Sequence, residues 1–279
     1  MMEHHVLGIS GGKDSAALAI YMRMYHPEID IQYFFTDTGK ELPEVYDFLN
    51  ELEGVLGKEI LKLSSYKTFD YYLKMFNNYL PSPQTRWCTR MLKLKPFQDW
   101  IKPWLDAGED VYSYVAIRAD EEHRTGLTQA HPHLHVELPF RKAGIKKDGV
   151  LEILETAGIG LPKYYEWRSR SGCTFCFFQQ KIEWVHLLER HPEAFREAME
   201  YELISLNSGA PFTWSQGESL EQLSQPNRVK QIKADFEKRK AKQLSSFRQN
   251  PLRIGIQEVS MDDIYDADEG NGACIVCSK

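Results

Sequence analysis

Apolar residues in the first two-thirds of the chain fall in short runs that alternate with stretches of helical period. Val6-Leu7-Gly8-Ile9 reads as a buried strand and Ala16 to Ile20 as the start of a helix, with the turn Ser10-Gly11-Gly12-Lys13-Asp14-Ser15 between them. Ile29 to Thr36 predicts a second strand that runs into Asp37-Thr38-Gly39. In Pro43 to Leu56, Val45, Phe48, Leu49 and Leu52 recur at helical spacing. Glu59 to Leu63 is a short third strand, and Phe69 to Leu80 a helix stopped by Pro81 and Pro83. Arg86-Trp87-Cys88-Thr89-Arg90 opens a segment reaching Trp104. Val111 to Ile117 is a further strand, ending at Arg118-Ala119-Asp120-Glu121. Leu134 to Leu138 predicts a short strand and Gly149 to Ala157 a helix.

The pattern then changes. Arg168 to Cys173 reads as a loop, and Gln179 to Glu202 as a long helical stretch broken near His191-Pro192. Gly209 to Pro226 is turn-rich, Asn227 to Phe247 a basic helix, and the last twenty residues a tail without hydrophobic period. Strands alternating with helices predict an α/β fold, a doubly wound and mostly parallel sheet with a C-terminal helical extension. The expected division is residues 1–185 for the nucleotide-binding α/β domain with its cysteine cluster, and 186–279 for the extension and cysteine-containing tail. Ligands on such sheets bind at the carboxyl ends of strands, where Ser10 to Ser15, Asp37 to Gly39 and Arg118 to Arg124 all fall.

The first of these turns has the chemistry of a phosphate cradle. Gly11 and Gly12 allow close backbone approach, Ser10 and Ser15 add hydroxyls, Lys13 adds charge, and the following helix presents its positive end. The glycines are too few and the lysine too early for the G-x-x-x-x-G-K-S/T loop. The string instead resembles the PP-loop of ATP pyrophosphatases, which cleave ATP between the α and β phosphates. Asp37 is placed either to orient a metal, a ribose hydroxyl or an adenine amino group, or to cap the next helix. Arg118 and Arg124 flank Asp120, Glu121, Glu122 and His123, as phosphate ligands or as an ion-pair cluster, and strand-end position favours Arg118.

Bulk properties narrow the class. With 279 residues, 42% hydrophobic and 27% charged, the chain is an ordinary globular one. No run of 18 apolar residues predicts a membrane span, and Met1 to His5 carries no signal-peptide pattern, so a cytoplasmic protein is expected. The net charge of −6 does not advertise nucleic-acid binding, yet from Arg228 to Arg253 only Asp235 and Glu237 oppose lysine and arginine. That stretch is a solvated helix face or a phosphate contact.

Five cysteines, Cys88, Cys173, Cys176, Cys274 and Cys277, include two C-x2-C pairs, which points to metal or redox chemistry rather than structural disulfides. Zinc, an iron–sulfur cluster and a redox pair all fit that spacing. His131, His133 and His135 alternate and would share one strand face, as metal ligands or as part of a polar loop.

Taken in order, these motifs resemble the phosphoadenosine-phosphosulfate reductase superfamily, and within it the DNA-phosphorothioation sulfurtransferase branch. The resemblance covers roughly Val6 to Phe178: S-G-G-K-D-S, Thr36 to Gly39, Arg86 to Arg90 with Lys93 and Pro96, Ile117 to Glu121 with Arg124, and Arg170-Ser171-Gly172-Cys173-x2-Cys176. It implies an adenine-nucleotide α-hydrolase fold. Ser10, Gly11, Gly12, Lys13, Asp14 and Ser15 would hold ATP with Mg2+, aided by Asp37, Thr38, Gly39 and Arg118. Lys13 and Asp14 would serve catalysis, and Cys274 or Cys277 would act as a tail nucleophile. Cluster-bearing members hold a 4Fe-4S centre, here on Cys88, Cys173 and Cys176 with Cys277 or Cys274 as fourth ligand, or with the fourth iron open to carry a sulfide, zinc being the alternative. Trp87 stands where the adenylylsulfate reductases carry a second adjacent cysteine. The complete phosphate loop favours adenylation with ATP followed by sulfur transfer, with a donor such as a cysteine desulfurase and a possible nucleic-acid acceptor. A reductase of adenylylated sulfate and a non-catalytic ATP-binding subunit are the other readings.

Overall fold

The computed structural model describes residues 2–122, 124, 131–210 and 212–249. The tail cysteines Cys274 and Cys277, together with His123, therefore lie outside the described residues. So does the acidic tail. By internal contacts the chain forms two compact units. Within the described residues the first is 2–69 with 87–163, and the second 70–86 with 164–249.

The first unit is built on five strands: β1 (Glu3–Gly8), β2 (Ile31–Asp37), β3 (Ile60–Ser64), β4 (Asp110–Tyr114) and β5 (Leu134–Glu137). All pair in parallel in the order β3-β2-β1-β4-β5. The expected α/β parallel sheet is thus present. Successive residues Val6 and Leu7 are both fully buried, as in a strand covered on both faces. On one face Val6, Phe34, Val111 and Leu134 pack against Phe97 and Ile101 of α4 (Lys95–Asp106). Helix α1 (Lys13–Tyr25) is buried nearly all round and packs against α2 (Pro43–Leu56) and α6 (Lys147–Thr156).

Two elements depart from the sequence pattern. The helix predicted over Phe69 to Leu80 is α3, Phe69–Met75. It stops because Asn77 and Asn78 turn into the left-handed region (φ 53° and 59°), which asparagine tolerates better than most side chains. The segment opened by Arg86 contains a π-helix, Thr89–Leu94, running directly into α4. Hydrophobic period alone does not reveal that extra residue per turn.

A four-residue helix, α5 (Pro139–Lys142), precedes α6. The second unit holds α7 (Lys181–Arg190), α8 (Pro192–Asn207), the short α9 (Leu220–Leu223) and α10 (Pro226–Gln249). The break at His191-Pro192 falls where the sequence places it, because proline cannot donate to the preceding turn but suits the first turn of the next helix. Glu202, buried in α8, accepts from the backbone N–H groups of Trp214 (2.9 Å) and Leu220 (2.7 Å), pinning the turn-rich connection. Burial pushes its carboxyl up and those two N–H groups pull it back. No helix among the described residues is long and apolar enough to cross a membrane.

Candidate nucleotide-phosphate site

The strand order reverses direction at β1, which has β2 on one side and β4 on the other. The loops leaving β1 and β4 therefore open side by side at the carboxyl edge. This brings together residues 104 apart: Arg118 Nη1 donates to Asp14 Oδ1 at 3.1 Å. Lys13 Nζ lies 3.6 Å from Asp14 Oδ2. All three side chains are buried, Lys13 and Arg118 to 2% exposure and Asp14 to 5%. Burial works against the Arg118 charge, but Asp14, with Asp120 and Glu121, outweighs it and raises the guanidinium above its ordinary range. Two buried cations, Lys13 and Arg118, thus meet two buried carboxylates, Asp14 and Glu121, with Asp120 Oδ1 2.9 Å from Arg118 Nε at the rim.

The turn itself is held by its hydroxyls. Ser10 N donates to Ser15 Oγ at 3.0 Å, Gly12 N to Ser10 Oγ at 3.3 Å, and the two hydroxyls stand 3.0 Å apart. Gly12 is the N-cap of α1, and no side chain caps that helix. A helix start left without a side-chain cap, next to a buried lysine, suits an anion. Gly11 is fixed by two constraints. Its φ is +76°, and a Cβ there would come within 2.6 Å of Val45 Cγ1 in α2. Valine is stiff and Val45 fully buried, so it cannot yield. Gly11→Ala is expected to cost about 2–3 kcal/mol, from overpacking and from left-handed backbone. Adding Val45→Ala should recover the packing share only, as a double-mutant cycle by chemical denaturation would measure.

The neighbouring loops are similarly organised. Asp37 Oδ1 accepts from Gly39 N (2.7 Å) and from Tyr46 OH (2.8 Å). It caps its own turn, while the N-cap of α2 is Leu42. Thr38 Oγ1 donates to the buried Glu41 (3.0 Å), which Lys93 approaches to 3.8 Å. That pair ties the π-helix following Cys88 to the loop after β2. Beyond β4, Glu121 accepts from Arg118 N (3.0 Å) and from Arg124 Nη1 (2.9 Å). Arg141 Nη2 donates to the carbonyls of Glu121 (2.6 Å) and Arg124, clamping the loop. Sequence reading did not single out Arg141 or Tyr46, and gave Val45 only as an apolar helix position. Their roles depend on elements that only meet on folding.

The alternating histidines sit at the opposite edge of the sheet. His133 Nδ1 (3.1 Å) and His135 Nε2 (2.9 Å) both meet Asp110 Oδ1 at the start of β4. Only His135 lies on β5, which begins at Leu134; His133 precedes it in a turn, and His131 Nδ1 accepts from His133 N at 3.3 Å. Hydrogen bonds from His135 and then His133 hold Asp110 below the usual carboxylate range.

Cys88 belongs to the first unit, Cys173 and Cys176 to the second. All three are half-buried and outside any disulfide. Among the described residues no group of three or more His, Cys, Asp or Glu side chains stands close enough to hold a metal. Cys173 and Cys176 occupy a tight turn, closed by Cys176 N donating to Cys173 O at 3.1 Å. Phe175, between them, points into an aromatic core with Tyr201 (5.2 Å) and Trp214 (5.3 Å). Phe178 is covered by the guanidinium groups of Arg170 (4.8 Å) and Arg86 (5.5 Å).

A glycine turn, a buried lysine and a strand-end arginine now stand on one sheet edge inside residues 4–131. That stretch matches the family model for the phosphoadenosine phosphosulfate reductase domain. Two curated relatives come from Methanocaldococcus jannaschii. The uncharacterized protein MJ0973 is 21% identical over 198 residues, covering 67% of this chain and 45% of that protein. The uncharacterized protein MJ0066 is 28% identical over 134 residues, covering 47% of this chain and 26% of its own length. The chain thus spans less than half the length of either. Among solved structures, phosphoadenylyl-sulfate (PAPS) reductase from Candida auris in a phosphate complex gives a TM-score of 0.48 at 11% identity, covering 62% of this chain and 82% of that one. NMN synthetase from Francisella tularensis gives 0.38 at 16% identity, covering 79% and 82%. Both are remote likenesses.

Proposed function

We propose that this chain is an ATP-dependent sulfurtransferase that adenylates an oxygen of its acceptor, releases pyrophosphate and then replaces the adenylated oxygen with sulfur. The observation that carries the reading is the buried Lys13–Asp14–Arg118 cluster beside the Gly11-Gly12 turn, at the ends of two adjacent parallel strands. A polyphosphate would meet two buried cations, Lys13 and Arg118, beside a helix start that no side chain caps. In the first step an acceptor oxygen bonds to the α-phosphorus, the α–β bridging P–O bond breaks, and the acceptor proton goes to solvent. Lys13 and the start of α1 stabilise the charge growing on pyrophosphate. Asp14 keeps Lys13 and Arg118 apart and oriented. Asp37, Thr38 and Gly39, on the next loop, are assigned to the nucleoside side of Mg-ATP.

In the second step a persulfide on a tail cysteine, Cys274 or Cys277, charged by a donor such as a cysteine desulfurase, attacks the activated atom, and AMP leaves with the oxygen. A second thiol then releases the product, leaving a disulfide for an external thiol reductant. The acceptor is assigned to nucleic acid. Helix α10 carries Arg228, Lys230, Lys233, Lys238, Arg239, Lys240 and Lys242 against Asp235 and Glu237, and a groove between α7 and α10 is lined by Arg239, Ile232, Phe236 and Asp235, with Lys181 and Arg228 there paired to Glu218. The iron–sulfur centre implied by the resemblance has no three-ligand group among the described residues, and no step above depends on it.

A second reading is thiol-dependent reduction of an adenylylated sulfate, favoured by the domain that residues 4–131 match. One assay separates the two. Pyrophosphate release from ATP in the presence of nucleic acid is the expected result. Thiol-dependent sulfite release without ATP would instead establish the reductase, and tight ATP binding with neither product would reduce the chain to a nucleotide-binding subunit.

A further inference from the structure

One face of α10 repeats at helical spacing. Arg228, Ile232 and Phe236 stand four residues apart, with Arg239 about one turn beyond. That face, with Lys181 and Ile182 at the start of α7, encloses a cavity of about 320 Å³, at the small end of the range of ligand sites. The floor is apolar: Ile182 is 2% exposed, Ile232 5%, and the half-buried Phe236 borders the same space.

The rim is charged, but sparingly. Lys181 and Arg228 both hold Glu218, Arg228 through Nε (2.7 Å) and Nη2 (2.8 Å). Hydrogen bonds from Arg228 and then Lys181 draw the Glu218 carboxyl down to about 2 against the effect of burial, so it stays ionised. Asp235 and the exposed Arg239 complete the rim. Lys181, Arg228 and Arg239 thus oppose Glu218 and Asp235, an excess of one positive charge. That excess matches one phosphodiester. A surface that read phosphates alone would carry more positive charge and would need neither an apolar floor nor an aromatic ring. In a duplex the bases are stacked inside, and only an unpaired base offers its face to an aromatic side chain.

We propose that the groove between α7 and α10 seats one unpaired base of a single-stranded nucleic acid, the base against Phe236 and Ile232 and its phosphate at Arg239. The inference rests on the nucleic-acid acceptor assigned above and narrows it to single strands. Every base has an apolar face, so the groove selects strandedness rather than sequence.

The test is fluorescence anisotropy of the full chain, without ATP, with three labelled probes of about twelve nucleotides. These are a single strand, the same strand annealed to its complement, and an abasic strand that keeps the phosphates and lacks the bases. The native chain should bind the single strand about 10-fold tighter than the abasic one, the worth of one stacked base. Phe236→Ala should erase that difference and leave the abasic strand and the duplex bound as before, while Phe236→Trp should keep it. Arg239→Met should lower the salt dependence of single-strand binding by about one phosphate contact, and Phe236→Ala should leave it unchanged. Should Phe236→Ala fail to fold, the native chain's preference between the single and abasic strands decides alone. Equal affinity for those two strands, or a Phe236→Ala loss as large on duplex as on single strand, overturns the base site and leaves nucleic acid as the acceptor. No binding of any probe overturns both. Sedimentation as a dimer that Phe236→Ala turns into a monomer, with oligonucleotide affinity unchanged, would assign the groove to a second copy of the chain and overturn the base site.

Discussion

Lys13→Met should lower pyrophosphate release from ATP by about 100- to 1,000-fold, the usual loss when one donor aimed at developing charge is removed from a water-poor site. Lys13 is 2% exposed, so its ammonium acts in a medium that screens weakly. The fold should survive, because Asp14 keeps its 3.1 Å contact with Arg118 and methionine nearly matches the lysine stem in volume. Circular dichroism and the thermal midpoint check that point, and steady-state kinetics then read the rate. The loss should fall on kcat, since pyrophosphate gains charge only as the bond breaks. A variant that releases pyrophosphate at the native rate would remove this loop from the chemistry.

Asp14→Asn should destabilise the ligand-free protein by about 3–5 kcal/mol, the cost of breaking a buried ion pair from one side. The substitution leaves Lys13 and Arg118 buried without the carboxylate they share, with Asp120 at the rim and Glu121 still near Arg118. Denaturant titration measures the loss. The same variant carries a second expectation of opposite sign. Adding pyrophosphate should raise its midpoint more than it raises the native one, because the ligand supplies the missing negative charge. Equal shifts in the two proteins would place the ligand elsewhere.

Most of the first unit was legible because local pattern and tertiary placement agree there. The buried strand Val6 to Ile9, the helix from Ala16 and the glycine turn between them follow from composition over fifteen residues. Helix α2 runs from Pro43 to Leu56 as its period predicts, ended by Gly57 in the left-handed region. The break at His191-Pro192 was equally local. The shortened α3 was not, since Asn77 and Asn78 are compatible with helix until their backbone is seen. Nor was the π-helix after Cys88.

The candidate site was half legible. Its residue types and their strand-end positions are in the sequence. The pairing of Asp14 with Arg118, the clamp by Arg141 and the wall made by Val45 at Gly11 are not. The groove beside Phe236 could not be read either. An aromatic at helical spacing looks like plain core until the cavity beside it is known.

By itself, then, the sequence determined the α/β class, the glycine turn of Ser10 to Ser15 between strand and helix and the strand ends that flank it, because these depend on chain-local period and turn chemistry. Only the tertiary structure decided which charges meet. The order β3-β2-β1-β4-β5 sets β4 against β1, so the loops leaving them are neighbours at one edge. Contacts across 104 residues leave no periodic trace in the chain, because they arise from strand order and burial rather than from spacing.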